Sequence, residues 1–455
     1  MSEWIIERFA GYARRPFLAQ GELIHTYSKL AEAISDHSAY FAKQGIQAGD
    51  TVTLEADYSL SSIAALFALF KRKAIVAPIT TVSDSELEFR RTEINARWNI
   101  RPDSKTENCF EYTLNETTAP SHNLVRQLTA QGHPGLILFS SGSTGKPKAM
   151  VHDVDQLLNA FSKKSPRRRR ILIFLLFDHI GGLNTLFNSL ASGALIVVPS
   201  SRDANAVGEA IQKHKVNLLP ASPTFLNLLL INKTHKNFDL SSLRFVTYGT
   251  EPMPESLLLR LKEALPHTSF IQTFGTSETG ISRTVSQSSQ STQIRINDPD
   301  TEFKIVKSEL WLRSKTQILG YLNHDMSRFT EDGWFKTGDI VEQSPNGFLK
   351  ITGRREDVIN VGGEKVSPLE VESVLLEIPE IADCRVYGEK NAITGQNVAA
   401  EIVLNKNIDM DHQKLKRTIK QHCRRVLSPY KIPARITFNP KTKLSYRYKK
   451  SRDRI

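Results

Sequence analysis

Cysteine is scarce in this chain, and long apolar runs are missing from it. The three cysteines, Cys109, Cys384 and Cys423, stand far apart and in odd number, which argues against a disulfide framework and against zinc-binding spacing. No apolar run is long enough to span a membrane, and the first residues lack the charged start and hydrophobic core of a signal peptide. The sequence therefore predicts a cytoplasmic protein with no membrane span.

Acidic residues are outnumbered, since 60 lysines and arginines face 48 aspartates and glutamates for a net charge of +12. An excess of this size raises the question of a nucleic-acid partner. We predict none, because the sequence has no zinc-finger spacing, no aromatic RNA-binding signature and no basic zipper. The densest basic stretch, residues 163–170, is typical of a solvated turn before a strand, although it could also attract phosphorylated substrates, CoA or an acidic carrier protein.

What is present indicates a globular protein of at least two domains, because 455 residues exceed one ordinary domain. Residues 1–100 alternate helical and strand-like patterns, which predicts parallel sheets covered by helices. Ser28 is a candidate N-cap, residues 60–70 predict a helix, and residues 74–79 predict a strand. The apolar run of residues 171–177 predicts a fully buried strand.

The most informative stretch is a strand-like run, residues 136–139, that leads directly into hydroxyl-bearing and glycine residues and then a lysine. Glycines let backbone amides converge on an oxyanion, while hydroxyls and a lysine add donors and charge. A flexible Ser/Gly linker would rarely follow a buried strand and end in Lys-Pro-Lys. The spacing differs from that of the Walker loop, because no Gly-Lys-Ser/Thr opens a helix. We predict a phosphate-binding loop formed by Ser140, Ser141, Gly142, Ser143, Thr144, Gly145 and Lys148.

Residues 140–152, SSGSTGKPKAMVH, resemble the phosphate-loop signature of the adenylate-forming (AMP-binding) superfamily, which includes acyl-CoA synthetases, luciferases and the adenylation domains of peptide synthetases. Further segments resemble this family's motifs in the family's order, and acyl-CoA synthetases are the closest group. The resemblance implies an α/β fold: a large N-terminal domain of helix-covered sheets with a β-region, residues 1–353, and a small mobile α+β C-terminal domain, residues 354–455. It also implies that the protein uses ATP and Mg²⁺.

Residues 243–254 resemble the family's adenine-binding strand and turn. The resemblance implies that Gly249, Thr250 and Glu251 contact the nucleotide, with the purine lying against the flat glycine.

The hexapeptide TFGTSE, residues 273–278, resembles the family's Tyr-Gly-x-Thr-Glu, with phenylalanine for tyrosine and serine for threonine. By this resemblance Phe274 stacks on adenine beside Gly275. The hydroxyl of Ser277 contacts the α-phosphate and the carboxylate of Glu278 holds Mg²⁺, and these two are predicted catalytic residues. One carboxylate suffices, because Mg²⁺ fills its shell from phosphate and water.

The heptapeptide GWFKTGD, residues 333–339, is among the most specific matches. The resemblance implies that Asp339 accepts hydrogen bonds from both ribose hydroxyls, as a carboxylate can. Arg354 matches an arginine that reaches ribose and phosphate. Without this context the same residues would predict only turns in a β-region.

The segment that follows resembles the family's hinge and the loop after it. Glu356 falls where relatives carry Asp or Lys as the pivot. Gly362 and Gly363 match the loop that enters the active site when the thioester forms. Residues 368–376 predict a helix of this domain.

The last family motif is Gly-Lys-x-x-Arg, whose lysine binds the acyl carboxylate and α-phosphate oxygens during adenylation. Counting without gaps from Tyr430 places this lysine at Lys449, with Arg452 completing the motif and Tyr448 in place of the glycine. Lys443 is the alternative and requires a gap. A solvated basic tail also fits these residues.

Acyl-CoA synthetases line the acid pocket with a His-x-x-Gly element, which His179 to Gly182 resembles. A histidine hydrogen-bonded at a strand end fits equally well. Asp178 replaces an aromatic residue of many acyl-CoA synthetases, and a lone buried aspartate is costly, so it requires either a partner or a polar group on the substrate. Residues 218–226, a strand running into a capped helix, either wall this pocket or pack in the core.

The resemblance implies two half-reactions. ATP and a small-molecule carboxylic acid give an acyl-adenylate and pyrophosphate, and a thiol then attacks the adenylate, with CoA the first candidate for the thiol. Two alternatives stay open: a stand-alone enzyme that loads an acidic carrier protein, and a catalytically weak relative that only binds nucleotide.

Overall fold

The computed structural model describes residues 3–80, 82–103, 110–115, 121–140, 146–405 and 411–440. Its α-helices are α1 (Glu3–Ala10), α2 (Tyr27–Gln44), α3 (Leu60–Lys71), α4 (Asp84–Glu93), α5 (Asn123–Gln131), α6 (Val154–Asn159), α7 (Ile180–Ser192), α8 (Ala204–His214), α9 (Pro223–Ile231), α10 (Thr234–Asn237), α11 (Glu255–Ala264), α12 (Pro368–Leu375) and α13 (His412–Val426). Two short 3₁₀ turns, Arg355–Asp357 and Pro429–Lys431, accompany them.

The strands alternate with these helices through the first half of the chain and cluster in the second half. They are β1 (Pro16–Gln20), β2 (Leu23–Thr26), β3 (Thr51–Glu55), β4 (Ile75–Ile79), β5 (Trp98–Pro102), β6 (Phe110–Leu114), β7 (Gly135–Ser140), β8 (Lys148–Asp153), β9 (Arg170–Leu172), β10 (Leu195–Val198), β11 (Leu218–Ala221), β12 (Phe245–Tyr248), β13 (Ser269–Gln272), β14 (Phe274–Thr276), β15 (Gly280–Ser282), β16 (Thr284–Ser286), β17 (Gln293–Ile296), β18 (Thr301–Val306), β19 (Glu309–Ser314), β20 (Gly320–Tyr321), β21 (Phe335–Gln343), β22 (Leu349–Arg354), β23 (Ile359–Val361), β24 (Glu364–Val366), β25 (Ile381–Asn391), β26 (Gly395–Leu404) and β27 (Arg435–Phe438).

Two seven-stranded sheets form the large domain. One has the order β20-β8-β7-β4-β3-β5-β6 and is parallel through β7, β4, β3 and β5. The other has the order β13-β12-β11-β9-β10-β1-β2 and is parallel from β13 to β1. Parallel strands need crossover connections, and the helices between them supply these, as the alternating sequence pattern predicted.

A six-stranded antiparallel sheet, β16-β17-β22-β21-β19-β18, forms the β-region that follows. The C-terminal domain has a five-stranded sheet of its own, in which β27 pairs with β26, and a separate hydrophobic core drawn from residues 359–438. The predicted α/β fold with a large and a small domain is confirmed. The boundary at Gly353, one residue before the end of β22, stays a prediction.

Two local predictions were wrong. Ser28 is not the N-cap of α2, because the hydroxyl of Thr26 accepts the N–H of Lys29 and the helix already begins at Tyr27. The apolar run of residues 171–177 is buried except at the half-buried Leu175, but only Arg170–Leu172 forms a strand. Beyond it Phe174 and Phe177 are buried by side-chain packing, so burial did not distinguish a strand from an irregular core segment.

Other local predictions are confirmed. Helix α3 and strand β4 lie where the pattern placed them, and α12 covers most of the helix predicted at residues 368–376. In the part of the chain that the structure describes, no helix is both long and apolar enough to cross a bilayer.

Candidate active site

The two ends of the predicted phosphate loop are fixed by a strand pair. Ser140 ends β7 and lies opposite Lys148, which begins the antiparallel strand β8. The side chain of Asn323 braces this end, because its Oδ1 accepts the N–H of Ala149 at 2.9 Å and its Nδ2 donates to the carbonyl of Pro147 at 2.9 Å. The loop residues Ser141, Gly142, Ser143, Thr144 and Gly145 lie outside the described residues, and their roles stay predictions.

A tyrosine connects the loop lysine to the predicted metal-binding carboxylate. The Nζ of Lys148 lies 5.9 Å from the ring centroid of Tyr321, whose hydroxyl donates to Glu278 Oε1 at 3.1 Å. Burial, together with the Glu278 carboxylate, raises the pKa of Tyr321 well above its ordinary value, so the phenol keeps its proton and remains a donor. The structure thus brings Lys148 and Glu278, predicted from separate motifs, to one place.

Glu278 and its neighbour Ser277 lie half-buried in the turn between β14 and β15. Gly275 is required in this hairpin, since a Cβ there would lie 2.3 Å from the carbonyl oxygen of Gly280. Phe274 is only 7% exposed and packs in the core of the β-region. Its predicted stacking on adenine stays a prediction, and the burial of the ring weighs against it.

The predicted adenine-binding turn follows β12. A Cβ on Gly249 would lie 2.7 Å from Thr273 Oγ1, so this position has no room for a side chain. Thr250 has a φ of 71°, and its buried hydroxyl has no hydrogen-bond partner among the described residues. Glu251 Oε1 accepts the N–H of Thr224 at 2.8 Å and so holds the N-terminus of α9. The unpartnered hydroxyl of Thr250 fits a polar atom of a bound nucleotide.

The predicted ribose site lies in the β-region, where Asp339 on β21 pairs with Arg354 on β22. Arg354 Nε lies 3.1 Å from Asp339 Oδ1, and the aspartate side chain is 7% exposed against 49% for the arginine. Burial raises the pKa of Asp339, and the guanidinium of Arg354 opposes this rise.

A buried glutamate connects this site to the predicted hinge. Glu309 Oε1 accepts the N–H of Gly338 at 2.9 Å, and its Oε2 lies 3.0 Å from Arg355 Nη2. Gly338 precedes Asp339, and Arg355 precedes Glu356, the exposed residue predicted as the pivot. Glu309 therefore connects the residue before the predicted ribose aspartate to the residue before the predicted pivot.

The predicted thiol-side loop is the two-residue tip of the hairpin formed by β23 and β24. Gly362 and Gly363 have φ values of 60° and 96°. A two-residue hairpin tip with positive φ at both positions favours glycine. Both glycines are exposed.

Asp178 of the predicted acid pocket has a partner. Its Oδ2 lies 3.2 Å from Arg90 Nη1, with 2% and 1% of the two side chains exposed, and Arg90 also donates to Glu86 at 2.6 Å. The sequence left open whether a partner or a polar substrate would compensate Asp178, and the structure supplies the partner. The sequence did not predict Arg90 as this partner, because nothing in the sequence of α4 distinguishes a buried arginine from an exposed one.

The other pocket residues begin helix α7. His179 is its N-cap, with Nδ1 accepting the N–H of Gly181 at 3.1 Å. Gly182 lies beneath the hydroxyl of Tyr58, which would be 2.5 Å from a Cβ at that position. Residues 218–226 are buried, and Phe225 and Leu226 belong to the second core of the large domain, which favours core packing over a pocket wall.

Lys449, Arg452 and Lys443 lie outside the described residues, so the choice of adenylation lysine stays a prediction. Among the described residues, no group of three or more histidine, cysteine, aspartate or glutamate side chains could hold a metal ion. Glu278 nevertheless fits Mg²⁺, because this ion takes one or two carboxylates and completes its shell with phosphate and water. Tyr321 engages one of the two carboxylate oxygens of Glu278.

Comparison with known proteins decides the family. A model of the AMP-binding enzyme family matches residues 6–322, and a model of the AMP-binding enzyme C-terminal domain matches residues 370–445. The chain belongs to the AMP-binding enzyme family.

Relatives of this AMP-binding enzyme include 2-succinylbenzoate–CoA ligase of Bacillus subtilis, 25% identical over 95% of this chain and 93% of the relative. Indoleacetate–CoA ligase of Aromatoleum aromaticum is 28% identical over 67% of this chain and 63% of the relative.

Solved structures below 25% identity show the shared fold. The anthranilate CoA ligase AuaEII with anthranoyl-AMP matches at a TM-score of 0.81 and 21% identity, over 98% of this chain and 94% of that one. An amide bond synthetase from Marinactinospora thermotolerans matches at a TM-score of 0.77 and 19% identity, over 98% and 97%.

Proposed function

We propose that this AMP-binding enzyme activates a small-molecule carboxylic acid with ATP and transfers the acyl group to the thiol of CoA. The observation that carries the proposal is the contact chain from Lys148 through Tyr321 to Glu278, which joins the phosphate loop to the predicted magnesium carboxylate. The relatives named CoA ligases support the choice of acceptor. The scattered cysteines support a cytoplasmic location.

In the first half-reaction the acid's carboxylate attacks the α-phosphate of ATP, and pyrophosphate leaves. The protein supplies no nucleophile and acts by positioning and charge compensation. Lys148 and the amides of the phosphate loop hold the phosphates, while Asp339 and Arg354 hold the ribose. Glu278 would hold Mg²⁺, which supplies Lewis-acid stabilisation of the phosphate oxygens. Lys449 contributes the remaining positive charge at the α-phosphate.

In the second half-reaction the thiol sulfur attacks the acyl carbon, AMP leaves, and the thiol proton is lost to solvent. Family members rotate the small domain between the two steps, and we place the pivot at Glu356. The glycine tip at Gly362 and Gly363 then faces the acyl-adenylate. Glu309 supports this arrangement, since it holds the neighbours of both Asp339 and the pivot.

The pairing of Asp178 with Arg90 bears on the acid. A carboxylate already neutralised by a guanidinium attracts a substrate ammonium weakly. We therefore propose an acid with no ammonium group in contact with Asp178, and assign this aspartate to holding the pocket wall in place.

The test is pyrophosphate exchange over a panel of carboxylic acids, run beside Lys449→Ala and Lys443→Ala. The wild type should show exchange that depends on one group of acids. Lys449→Ala should reduce it by about 100-fold or more, as expected for a charge acting on the reacting phosphate, and Lys443→Ala should leave it nearly unchanged. No acid-dependent exchange would contradict the function. The reverse order of the two variants would move the lysine to position 443.

A further inference from the structure

The positive charge of this protein is concentrated at one end. Residues 411–455 contain fifteen lysines and arginines against two aspartates and glutamates. Residues 1–410 contain 45 basic and 46 acidic residues and are close to neutral. The net charge of +12 therefore belongs to the end of the C-terminal domain and not to the enzyme as a whole.

Helix α13 presents much of this charge to solvent. Lys414, Arg417, Arg424 and Arg425 are exposed, and their spacing puts all four on one face of the helix. No carboxylate of the described residues pairs with these four cations. A groove of about 350 Å³ beside them is lined by Lys416, Arg417, Lys420, Ala434, Arg435 and Ile436.

The burial and the residue types of α13 favour a protein as the partner of this face over a membrane or a nucleic acid. The apolar side of α13 is buried, with Leu415, Ile419 and Cys423 at 0% exposure, so the helix cannot insert into a bilayer. It carries no phenylalanine, tyrosine or tryptophan on which bases could stack. Val426, at its end, is 57% exposed and follows Arg424 and Arg425 in sequence, and arginine is enriched at protein interfaces.

The position of this cationic face within the C-terminal domain indicates that its partner takes part in the thiol step. The 3₁₀ turn Pro429–Lys431 follows α13 directly and contacts β24, which begins immediately after Gly362 and Gly363. The segment that follows α13 thus contacts the hairpin whose tip is the loop predicted to serve the thiol. The cations from 414 to 425 extend about 16 Å along the helix axis, the length of a secondary-structure element.

We propose that the exposed cationic face of α13 docks an acidic carrier protein whose phosphopantetheine thiol accepts the acyl group. This rests on the two-step reaction proposed above and adds an acceptor to it. The carrier's sulfur forms the thioester bond to the acyl carbon, the bond from that carbon to the AMP oxygen breaks, and the thiol proton passes to solvent.

The test measures transfer to two acceptors by the wild type and by two charge-reversed variants. The substrate is the acid that gives the fastest pyrophosphate exchange. The docking variant combines Arg424→Glu and Arg425→Glu. The matched control combines Lys43→Glu and Lys236→Glu, which are also exposed and in the last turns of their helices. The acceptors are CoA and an acidic acyl carrier protein that bears its phosphopantetheine arm.

We expect the docking variant to lose about tenfold or more in kcat/KM with the carrier protein, with CoA and pyrophosphate exchange nearly unchanged. The control should match the wild type with both acceptors. Equal loss with CoA, or no loss with either acceptor, would overturn the proposal. The proposal would also be overturned if the wild type bound an oligonucleotide and the docking variant lost this binding while its use of the carrier protein stayed unchanged. A wild type that uses CoA and refuses the carrier would overturn it too, and would leave the ligase function standing.

Discussion

Two arginine–aspartate pairs in this molecule have nearly the same nitrogen–oxygen distance and differ in their exposure to solvent. Arg90 and Asp178 lie 3.2 Å apart with 1% and 2% of their side chains exposed. Arg354 and Asp339 lie 3.1 Å apart, with the arginine 49% exposed. Both partners of the first pair, the buried pair, are covered, whereas one partner of the second, the open pair, is half-exposed to solvent. From this difference in burial we infer that the buried pair stabilises the fold and that the open pair can exchange Arg354 for a ligand.

The sharpest way to break this comparison is to remove one partner of the buried pair. Asp178→Ala takes one carboxylate partner away from the buried guanidinium of Arg90, which also pairs with Glu86, and we expect it to lower the free energy of unfolding by about 3 kcal/mol. Urea denaturation measures the effect. The control is the double variant Arg90→Met with Asp178→Leu, which should recover much of the loss because no charge stays buried. A loss below about 1 kcal/mol in Asp178→Ala would show that the pair is solvated.

The open pair should behave in the opposite way. Asp339→Asn removes the charge that we propose accepts hydrogen bonds from the ribose, and we expect kcat/KM for ATP to fall about 10- to 100-fold, equal to roughly 1.4–2.7 kcal/mol. The urea midpoint should change little, because the partner Arg354 is half-exposed and can be hydrated. Steady-state kinetics and denaturation on the same preparation measure both. An unfolding loss as large as that of Asp178→Ala would remove the distinction between the pairs.

The two domains are also expected to differ in how strongly acid lowers their stability. His152 on β8 is fully buried, and burial lowers its pKa to about 4. The unfolded chain binds a proton below pH 6.5 that the folded chain excludes, so stability is complete above pH 6.5 and falls as the pH drops toward 4. We expect roughly 1.5 kcal/mol of the large domain's stability to be lost between pH 6.5 and 5.

Urea midpoints at several pH values measure this acid sensitivity. His37, whose pKa burial also lowers to about 4, acts in the same direction, so His152→Leu should reduce the dependence without abolishing it. The C-terminal domain holds no buried histidine among its described residues, since His412 is exposed and His422 is half-exposed. An unchanged dependence in His152→Leu would mean that the imidazole is protonated in the folded chain.

The sequence was informative where several residues had to occur together. The Ser/Gly loop between an apolar strand and a lysine predicts a phosphate site, and the structure places Ser140 opposite Lys148 in the strand pair that flanks this loop. The sequence was not informative about single long-range contacts. Tyr321, Asn323 and Glu309 lie far along the chain from the groups they contact, and none of the sequence motifs includes them.

The sequence also did not predict which part of the structure covers a buried side chain. The run of residues 171–177 is apolar enough for a strand, yet only its start pairs with a neighbouring strand. Phe274 matches an aromatic position of the family, yet its ring packs in a core. In both cases the amino-acid type predicts that a side chain will be covered, and only the tertiary structure determines what covers it.

The most direct test is a crystal structure with ATP and magnesium. Lys148 and the residues of the phosphate loop should contact the phosphates, Glu278 the metal, and Asp339 the ribose of one and the same nucleotide. A nucleotide bound elsewhere, or one that Asp339 and Glu278 do not share, would contradict the proposed site whatever the sequence motifs suggest.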